Sequence, residues 1–377
     1  CSSDLVLHRP ESPAVEERLM ADLRAVARPK NAEPWTKLGA KARLASIVTI
    51  VAPSSFFALT LFLTGMDFMA GLLTVFLPLQ LLVGALAGFY SFGRRGITDG
   101  LLLVVTFFLS LFVLVLLTSV LWSVFEAGFR AMSPHFIYQN NVYVSGQTGL
   151  EIGGVGHAIL GTAITVGIST IITVPLGVAT AVYLTETRER GRGVIRTLLQ
   201  AMSALPSVVA GLFIFSMLIL SGWSGYSGLM GSLSLIPLML PTISRVAEES
   251  LRLVPADLRN GALALGAPAY RAFFMVTLPA AQSGIVTAVL LGIARVIGET
   301  APILLTVAFA NGTNVNPLEG GMTTLPGYIF TFIILGDQTS IARAWGAALV
   351  LLVFVGILFA AARVASAPKK AKKRSAK

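Results

Sequence analysis

Apolar runs long enough to cross a bilayer as helices recur along most of the chain, separated by short polar connections. A hydrocarbon core of about 30 Å needs about 20 apolar residues in a helix. That template selects eight stretches: Ile47–Thr64, Phe68–Phe92, Leu101–Phe125, His157–Leu184, Leu198–Leu220, Leu229–Val246, Ile285–Phe309 and Trp345–Arg363. Several carry an internal proline (Pro53, Pro78, Pro175, Pro206, Pro237, Pro241, Pro302), which would break a soluble helix. Within a bundle, neighbouring helices re-satisfy the freed backbone groups, so these prolines predict kinks along a path. The pattern predicts an all-α polytopic membrane protein of about eight transmembrane helices.

Composition agrees. The 377 residues are 55% hydrophobic and 12% charged with a mean hydropathy of +0.81, whereas charged residues make up about a quarter of a soluble domain. Spans along the whole chain also exclude a single removable signal peptide as their source. One cysteine, Cys1, excludes an intramolecular disulfide framework and any multi-cysteine metal site. The start at Cys1 reads as a trimmed or reassigned terminus rather than a lipoprotein one.

Charge sets an orientation. Of the 28 Lys and Arg, all but Arg130, Arg295 and Arg343 fall in alternate connections if the N-terminus is cytoplasmic. Positive residues stay inside, so both termini are predicted cytoplasmic. Retention of positive residues inside, with attraction to anionic membrane lipid, accounts for the net charge of +10, and no nucleic-acid partner follows from the basic tail. The predicted organisation is a cytoplasmic segment 1–46, with a surface helix or unstructured lead-in over Pro10–Trp35, then N-terminal spans 47–126. A periplasmic loop 127–156, a membrane domain 157–365 with a cytoplasmic loop 245–280, and a basic tail 366–377 complete it.

Several chemistries are missing. A phosphate-cradling P-loop needs Gly-Lys followed by Ser or Thr, and no lysine lies between Lys41 and Lys369. This chain is therefore not predicted to hydrolyse ATP. His8, His135 and His157 are scattered without metal-ligand or triad spacing. The glycines of Gly153-Gly154-Val155-Gly156 follow no strand and read as a loop leading into a span.

The loop from Arg245 to Pro279 mixes charges with Leu251, Leu258, Leu263, Leu265, Phe273 and Phe274, and so predicts short amphipathic helices. Pro255, Gly266 and Pro268 delimit one over Ala256–Ala267, exposed for docking in the cytoplasm. The stretch Leu258-Arg259-Asn260-Gly261-Ala262-Leu263-Ala264-Leu265-Gly266, with Phe273 and Leu278-Pro279 beyond it, resembles the EAA loop of binding-protein-dependent ABC importer permeases. Asn260-Gly261 stands where that family has Glu-Ala, while Ala262 and Gly266 keep the register. The resemblance implies a type I permease core in the last five spans and a coupling helix seated in an ATPase subunit. Leu258, Arg259, Asn260, Gly261, Ala262, Gly266 and Ala267 are the implied coupling residues.

Three further stretches are similar to the phosphate importer permeases: Ser203–Leu212 with Leu205-Pro206-Ser207, Ala294–Pro302 with Gly298-Glu299-Thr300-Ala301-Pro302, and Thr324–Phe330 with Leu325-Pro326. The second, and the third read as an outer loop, favour the PstA type over its PstC partner. The resemblance spans about His157 to Val364 and implies a PstC-like second permease, a PstB-like ATPase dimer holding ATP and magnesium, and a PstS-like phosphate-binding protein. No cofactor is implied for this chain itself.

Arg295 and Glu299 are the ionisable residues deep inside a predicted span, where a charge is costly unless paired or facing water. Four residues apart on a helix, they would share a face at roughly 6 Å of rise. One reading is a structural ion pair. The other is a translocation path in which Arg295 meets an oxyanion, Glu299 accepts the proton-bearing oxygen of hydrogen phosphate, and Thr300, Pro206 and Ser207 complete the route. A break at Pro206-Ser207 would serve either an anion or packing. Two alternatives stay open: a permease for another oxyanion such as molybdate or phosphonate, and an ion-coupled secondary transporter using Arg295 and Glu299 as a relay.

Overall fold

The computed structural model describes residues 40–146, 148–187 and 191–366. The predictions for Pro10–Trp35 and the basic tail lie outside the described residues. The chain divides at Leu117/Thr118 into two compact units.

The first unit contains α1 (Ala40–Thr64), α2 (Phe68–Gly71, Leu72–Phe76 and Leu77–Phe92) and most of α3 (Arg94–Phe129). Asp67 starts α2, its carboxylate accepting the Met69 and Ala70 N–H groups at 3.0 and 3.3 Å. Glycines set the α2/α3 crossing. A Cβ at Gly88 would overlap the Gly96 carbonyl oxygen, and one at Gly100 that of Gly84. Two small-xxx-small pairs thus let the backbones touch, the arrangement by which helices associate in lipid. Gln80, buried on α2, donates to the Thr49 carbonyl of α1 at 3.0 Å.

Leu72–Phe76 is a π-helical turn, and so is Phe273–Thr277 further on. Pro78 and Pro279 follow these turns, and the residues four before them, Thr74 and Met275, lie inside the turns. A proline ring crowds the carbonyl four residues back and donates nothing to it; a widened turn relieves that clash without ending the helix.

The second unit is built around α8 (Gly228–Arg252). Packed on it are α5 (Gly156–Glu186), the bent pair α6 (Gly191–Ala204) and α7 (Ser207–Ile214, continued by the π turn Phe215–Ile219), α11 (Gln282–Val296) and α12 (Ala301–Thr306). Ile243 of α8 is fully buried between two glycines: a Cβ at Gly177 of α5 would lie 2.7 Å from its Cγ2, and one at Gly292 of α11 2.6 Å from its Cγ1. Ser169 Oγ, while bonded to Thr165 O at 2.8 Å, also donates to the Ser232 carbonyl at 2.9 Å, tying α5 to α8. The remaining helices are α4 (Pro134–Tyr138), α9 (Ala256–Ala264), α10 (Ala269–Ala272 through Phe273–Thr277 to Leu278–Ala280), α13 (Leu325–Leu335) and α14 (Gln338–Ser366).

Among the described residues five helices are long and apolar enough to cross a membrane, and seven spans result if each bent pair counts as one. The predicted first span lies in α1, whose apolar part, Val51–Thr64, is shorter than the others. The stretch from Leu325 to Phe330, expected as an outer loop, forms the first turns of α13, with Tyr328 fully buried and stacked on Phe332 at 4.2 Å. The predicted span Ile285–Phe309 is interrupted, because α11 ends at Val296 and helix resumes at Ala301.

Candidate functional site

Two breaks bring the motif residues together. Leu205-Pro206 separates α6 from α7, which bend by 101°. Pro206 lies in extended backbone (φ −60°, ψ 138°) and its carbonyl accepts the Val209 N–H at 2.9 Å. The second break, Ile297–Thr300, separates α11 from α12. The helices that follow the breaks pack on each other: a Cβ at Gly211 of α7 would sit 2.5 Å from Pro302 Cα of α12. Behind them Thr306 Oγ1 donates to the Pro302 carbonyl at 2.7 Å and lies 3.5 Å from Ser234 Oγ of α8. The Leu-Pro-Ser and Gly-Glu-Thr-Ala-Pro stretches, nearly a hundred positions apart in sequence, thus head two touching helices on one backing.

Arg295 sits on the last turn of α11 with an exposed side chain; Glu299 lies in the break, half-buried, its N–H bonded to Val296 O at 3.1 Å. The shared helical face expected for them is absent because the helix ends between them, and they form no ion pair with each other among the described residues. Thr300 starts α12, and Ser207 starts α7 half-buried.

Before α11 in the chain, and packed on α10, stands α9. Pro255 precedes it and Gly266, at φ +85°, ends it. The Ala267 N–H bonds Ala262 O at 3.1 Å and the Gly266 N–H bonds Leu263 O at 2.9 Å, a Schellman closure that needs glycine at the left-handed position. The helix therefore ends at Ala264, with Leu265–Ala267 forming its cap. Leu258, Asn260, Gly261 and Leu263 are exposed, as are Leu253, Leu265 and Tyr270 around them. Arg259 differs: its Nη2 lies 2.5 Å from Glu186 Oε2 at the end of α5. Phe273 is buried with Ala181, Ala247 and Leu251 and roots the loop in the bundle.

Sequence reasoning missed Glu186 and Glu248. Glu248 Oε1 takes Arg196 Nη2 at 2.7 Å and Arg252 Nη2 at 2.6 Å, joining α6 to α8. It missed Arg343 as well, which is 1% exposed and whose Nη2 donates to the carbonyls of Thr148, Gly149 and Ile152 at 2.9, 2.7 and 3.1 Å. Nearby, Asn141 Nδ2 donates to Tyr328 Oη at 2.9 Å, and Asn141 Oδ1 accepts the Gly154 N–H at 3.0 Å. The signal available in sequence was an arginine just before the last predicted span, on the side where positive residues are few.

Residues 173–367, more than half of the chain, match the family of binding-protein-dependent transport system inner membrane components. The chain belongs to that family, in its PstA type. This PstA-type chain is 37% identical over 261 residues to the phosphate transport system permease protein PstA 1 of Mycobacterium tuberculosis, covering 68% of this chain and 85% of that one. To the PstA of Mycobacterium leprae it is 42% identical over 216 residues, 56% and 70% of the two chains. To the probable PstA of Methanocaldococcus jannaschii it is 31% identical over 273 residues, 72% and 94%. A chain of the inward-facing MetNI methionine ABC transporter aligns at a TM-score of 0.45 and 17% identity, over 56% of this permease and 93% of that chain.

Proposed function

We propose that this chain is a transmembrane permease subunit of an ATP-driven importer that moves inorganic phosphate from a binding protein outside into the cytoplasm. The relatives named as phosphate permeases support the substrate. The observation that carries the coupling is α9, an exposed helix closed at its end by Gly266 and pinned to α5 through Arg259 and Glu186. A short rigid helix held to the ends of spans transmits force; a floppy loop would absorb it.

The chain works with a PstC-like second permease, a PstB-like ATPase dimer seated on α9 and a PstS-like phosphate-binding protein on the opposite face. ATP and magnesium belong to the ATPase, and no catalysis is assigned to this chain. Both termini face the cytoplasm, in line with the distribution of Lys and Arg. The path runs by Arg295, Glu299 and Thr300, with Pro206 and Ser207 at the head of the helix that packs on α12. Arg295 offers a permanent charge and several N–H donors to the oxyanion. Glu299 accepts a hydrogen bond from the protonated oxygen of hydrogen phosphate, which sulfate lacks at neutral pH, and its charge keeps the well shallow enough for release. Leu258, Asn260, Gly261, Ala262, Gly266 and Ala267 form or shape the ATPase contact, while Arg259 positions it.

The test is labelled-phosphate uptake in cells lacking this chain, complemented with wild type or with a deletion of Ala256–Ala267, and competed with molybdate and sulfate. Uptake restored by wild type alone and competed by neither ion supports the proposal. Uptake that survives the deletion indicates an ion-coupled transporter, and competition by molybdate indicates another oxyanion.

A further inference from the structure

The α6/α8 corner holds a charged feature that neither the path nor the coupling helix uses. An open cavity of about 300 Å³ is lined by Arg196, Arg245, Glu248, Glu249 and Arg252. Glu248 is shared by Arg196 and Arg252. Arg245, one turn before Glu248 on α8, is exposed and has no hydrogen-bond or ion-pair partner among the described residues. Three arginines against two glutamates leave the cavity with one positive charge in excess, and two of the arginines are already fixed in place by the same carboxylate.

One wall of this cavity comes from α6, which is strongly amphipathic. Val194, Ile195, Leu198, Leu199 and Met202 fall on one face, with Arg192, Arg196, Thr197 and Gln200 on the other. Only Leu199 of that apolar face is buried; Val194 and Leu198, one turn apart, are exposed by 62% and 57%. The chain then bends by 101° into the apolar α7, whose Val208, Leu212 and Phe213 are exposed as lipid-facing residues of a span are. Together α6 and α7 make one bent apolar segment, and with α7 set across the bilayer the bend lays α6 along the membrane surface. With basic residues on one side and bare aliphatic ones on the other, it has the make-up of an interfacial helix.

We infer that the Arg196–Arg245–Arg252 cavity binds the phosphate headgroup of an anionic phospholipid whose acyl chains lie against Val194 and Leu198 of α6. Arg245 supplies the free donors, and Glu248 Oε1 gathers the Arg196 and Arg252 guanidinium groups on one oxygen beside it, leaving their other N–H groups for the anion. Glu249 on the rim disfavours a second negative charge, which suits a phosphodiester better than a doubly charged free phosphate. The bound lipid would brace α6 against α8 immediately before the coupling helix. The inference rests on the membrane placement in the proposed function, but its test does not require transport.

The complex of this chain with its partner subunits is reconstituted in nanodiscs of phosphatidylcholine mixed with phosphatidylglycerol, then released and weighed by native mass spectrometry. Wild type should retain phosphatidylglycerol in preference to phosphatidylcholine. Arg245→Ala should retain about fivefold less, the factor one basic residue contributes at an anionic surface, and Arg245→Lys should keep most of it. Leu198→Gln, which alters no charge, should also lower retention. Equal retention by wild type and Arg245→Ala, or no preference between the two lipids, overturns the inference. In a second arm, labelled inorganic phosphate is offered to the complex in neutral detergent; saturable binding that Arg245→Ala abolishes assigns the cavity to a free anion and also overturns it. Selective lipid retention by a complex that fails to import phosphate supports this inference and counts only against the proposed function.

Discussion

Arg259 of α9 reaches Glu186 at the end of α5, Nη2 to Oε2 at 2.5 Å, so the exposed helix is fastened to the longest helix of its bundle by one ion pair. Both side chains are partly exposed, 34% and 21%, and such a pair contributes only about 0.2–1 kcal/mol to stability. Its loss should leave the protein inserted and folded while loosening the lever. Arg259→Gln and Glu186→Gln are each expected to lower phosphate uptake by about 2- to 30-fold at normal membrane abundance, the range of energetic coupling that single residues carry. Exchanging the charges, Arg259→Glu with Glu186→Arg, should recover part of it. Unchanged uptake in both single variants would mean that α9 keeps its place without the pair.

Gly261 lies inside α9 with open space around its Cα and an ordinary helical backbone. Glycine within a helix costs about 1 kcal/mol relative to alanine. Gly261→Ala should therefore stabilise α9. Gly266→Ala, by contrast, forces a side chain into φ +85° and should destabilise it. Amide hydrogen exchange over Ala256–Ala267 separates the two: protection rises in the first variant and falls in the second.

The contact between Gly211 and Pro302 leaves no room for a side chain, since the nearest atom is backbone. Gly211→Val should push α7 off α12 and cost about 1–3 kcal/mol, as overpacked cores do, read as a lower melting temperature in detergent. Gly193→Ala, which has nothing within 4 Å of its Cβ position, is the matched control and should leave the melting temperature at or above its wild-type value.

The membrane class and most spans were readable because twenty-residue apolar runs have no other stable use. The start of α9 was readable too, since Pro255 acts locally on its own backbone, whereas the helix expected to Ala267 closes at Ala264 because the Gly266 cap takes up its last three residues. What escaped was contact across the fold. Nothing local marks Glu186 as the partner of Arg259, 73 positions on, or Arg343 as the holder of carbonyls nearly two hundred positions away. The α11/α12 break escaped for a different reason: Ile285–Phe309 is apolar on average despite Arg295 and Glu299, and hydropathy does not register where a helix is interrupted. Extending one helix through Gly298 placed Arg295 and Glu299 on a common face that does not exist. Leu325–Leu335 was passed over because 11 residues fall short of a span.

Asp337 precedes α14 and its Oδ2 accepts Thr339 Oγ1 at 2.6 Å and the Ser340 N–H at 2.8 Å. These hydrogen bonds hold its carboxyl down from 3.8 to about 2. A carboxylate with a depressed folded pKa adds stability that is complete above its unfolded value and is lost as pH falls toward the folded one. The difference in melting temperature between wild type and Asp337→Ala should therefore be constant from neutral pH to about 5 and shrink below about 4. A difference as large at pH near 3 as at pH near 7 would show that the cap acts without its charge.

Arg295 and Glu299 are separated by the end of α11, and this decides how their variants should behave. Were they a structural ion pair, neutralising either would leave a bare charge, and neutralising both would relieve it. Without a direct contact between them, each residue answers to the substrate alone. Arg295→Ala is expected to reduce phosphate uptake by more than tenfold, the loss of one charge-assisted contact of about 1.5–3 kcal/mol, with Glu299→Gln in the same chain giving no rescue. Glu299→Gln alone should keep measurable uptake but become more open to competition by sulfate, because an amide no longer selects for a proton on the anion. Uptake of labelled phosphate with and without sulfate, at matched abundance in the membrane, measures both effects. Full activity in the double variant would return the two residues to a structural role and place the path elsewhere.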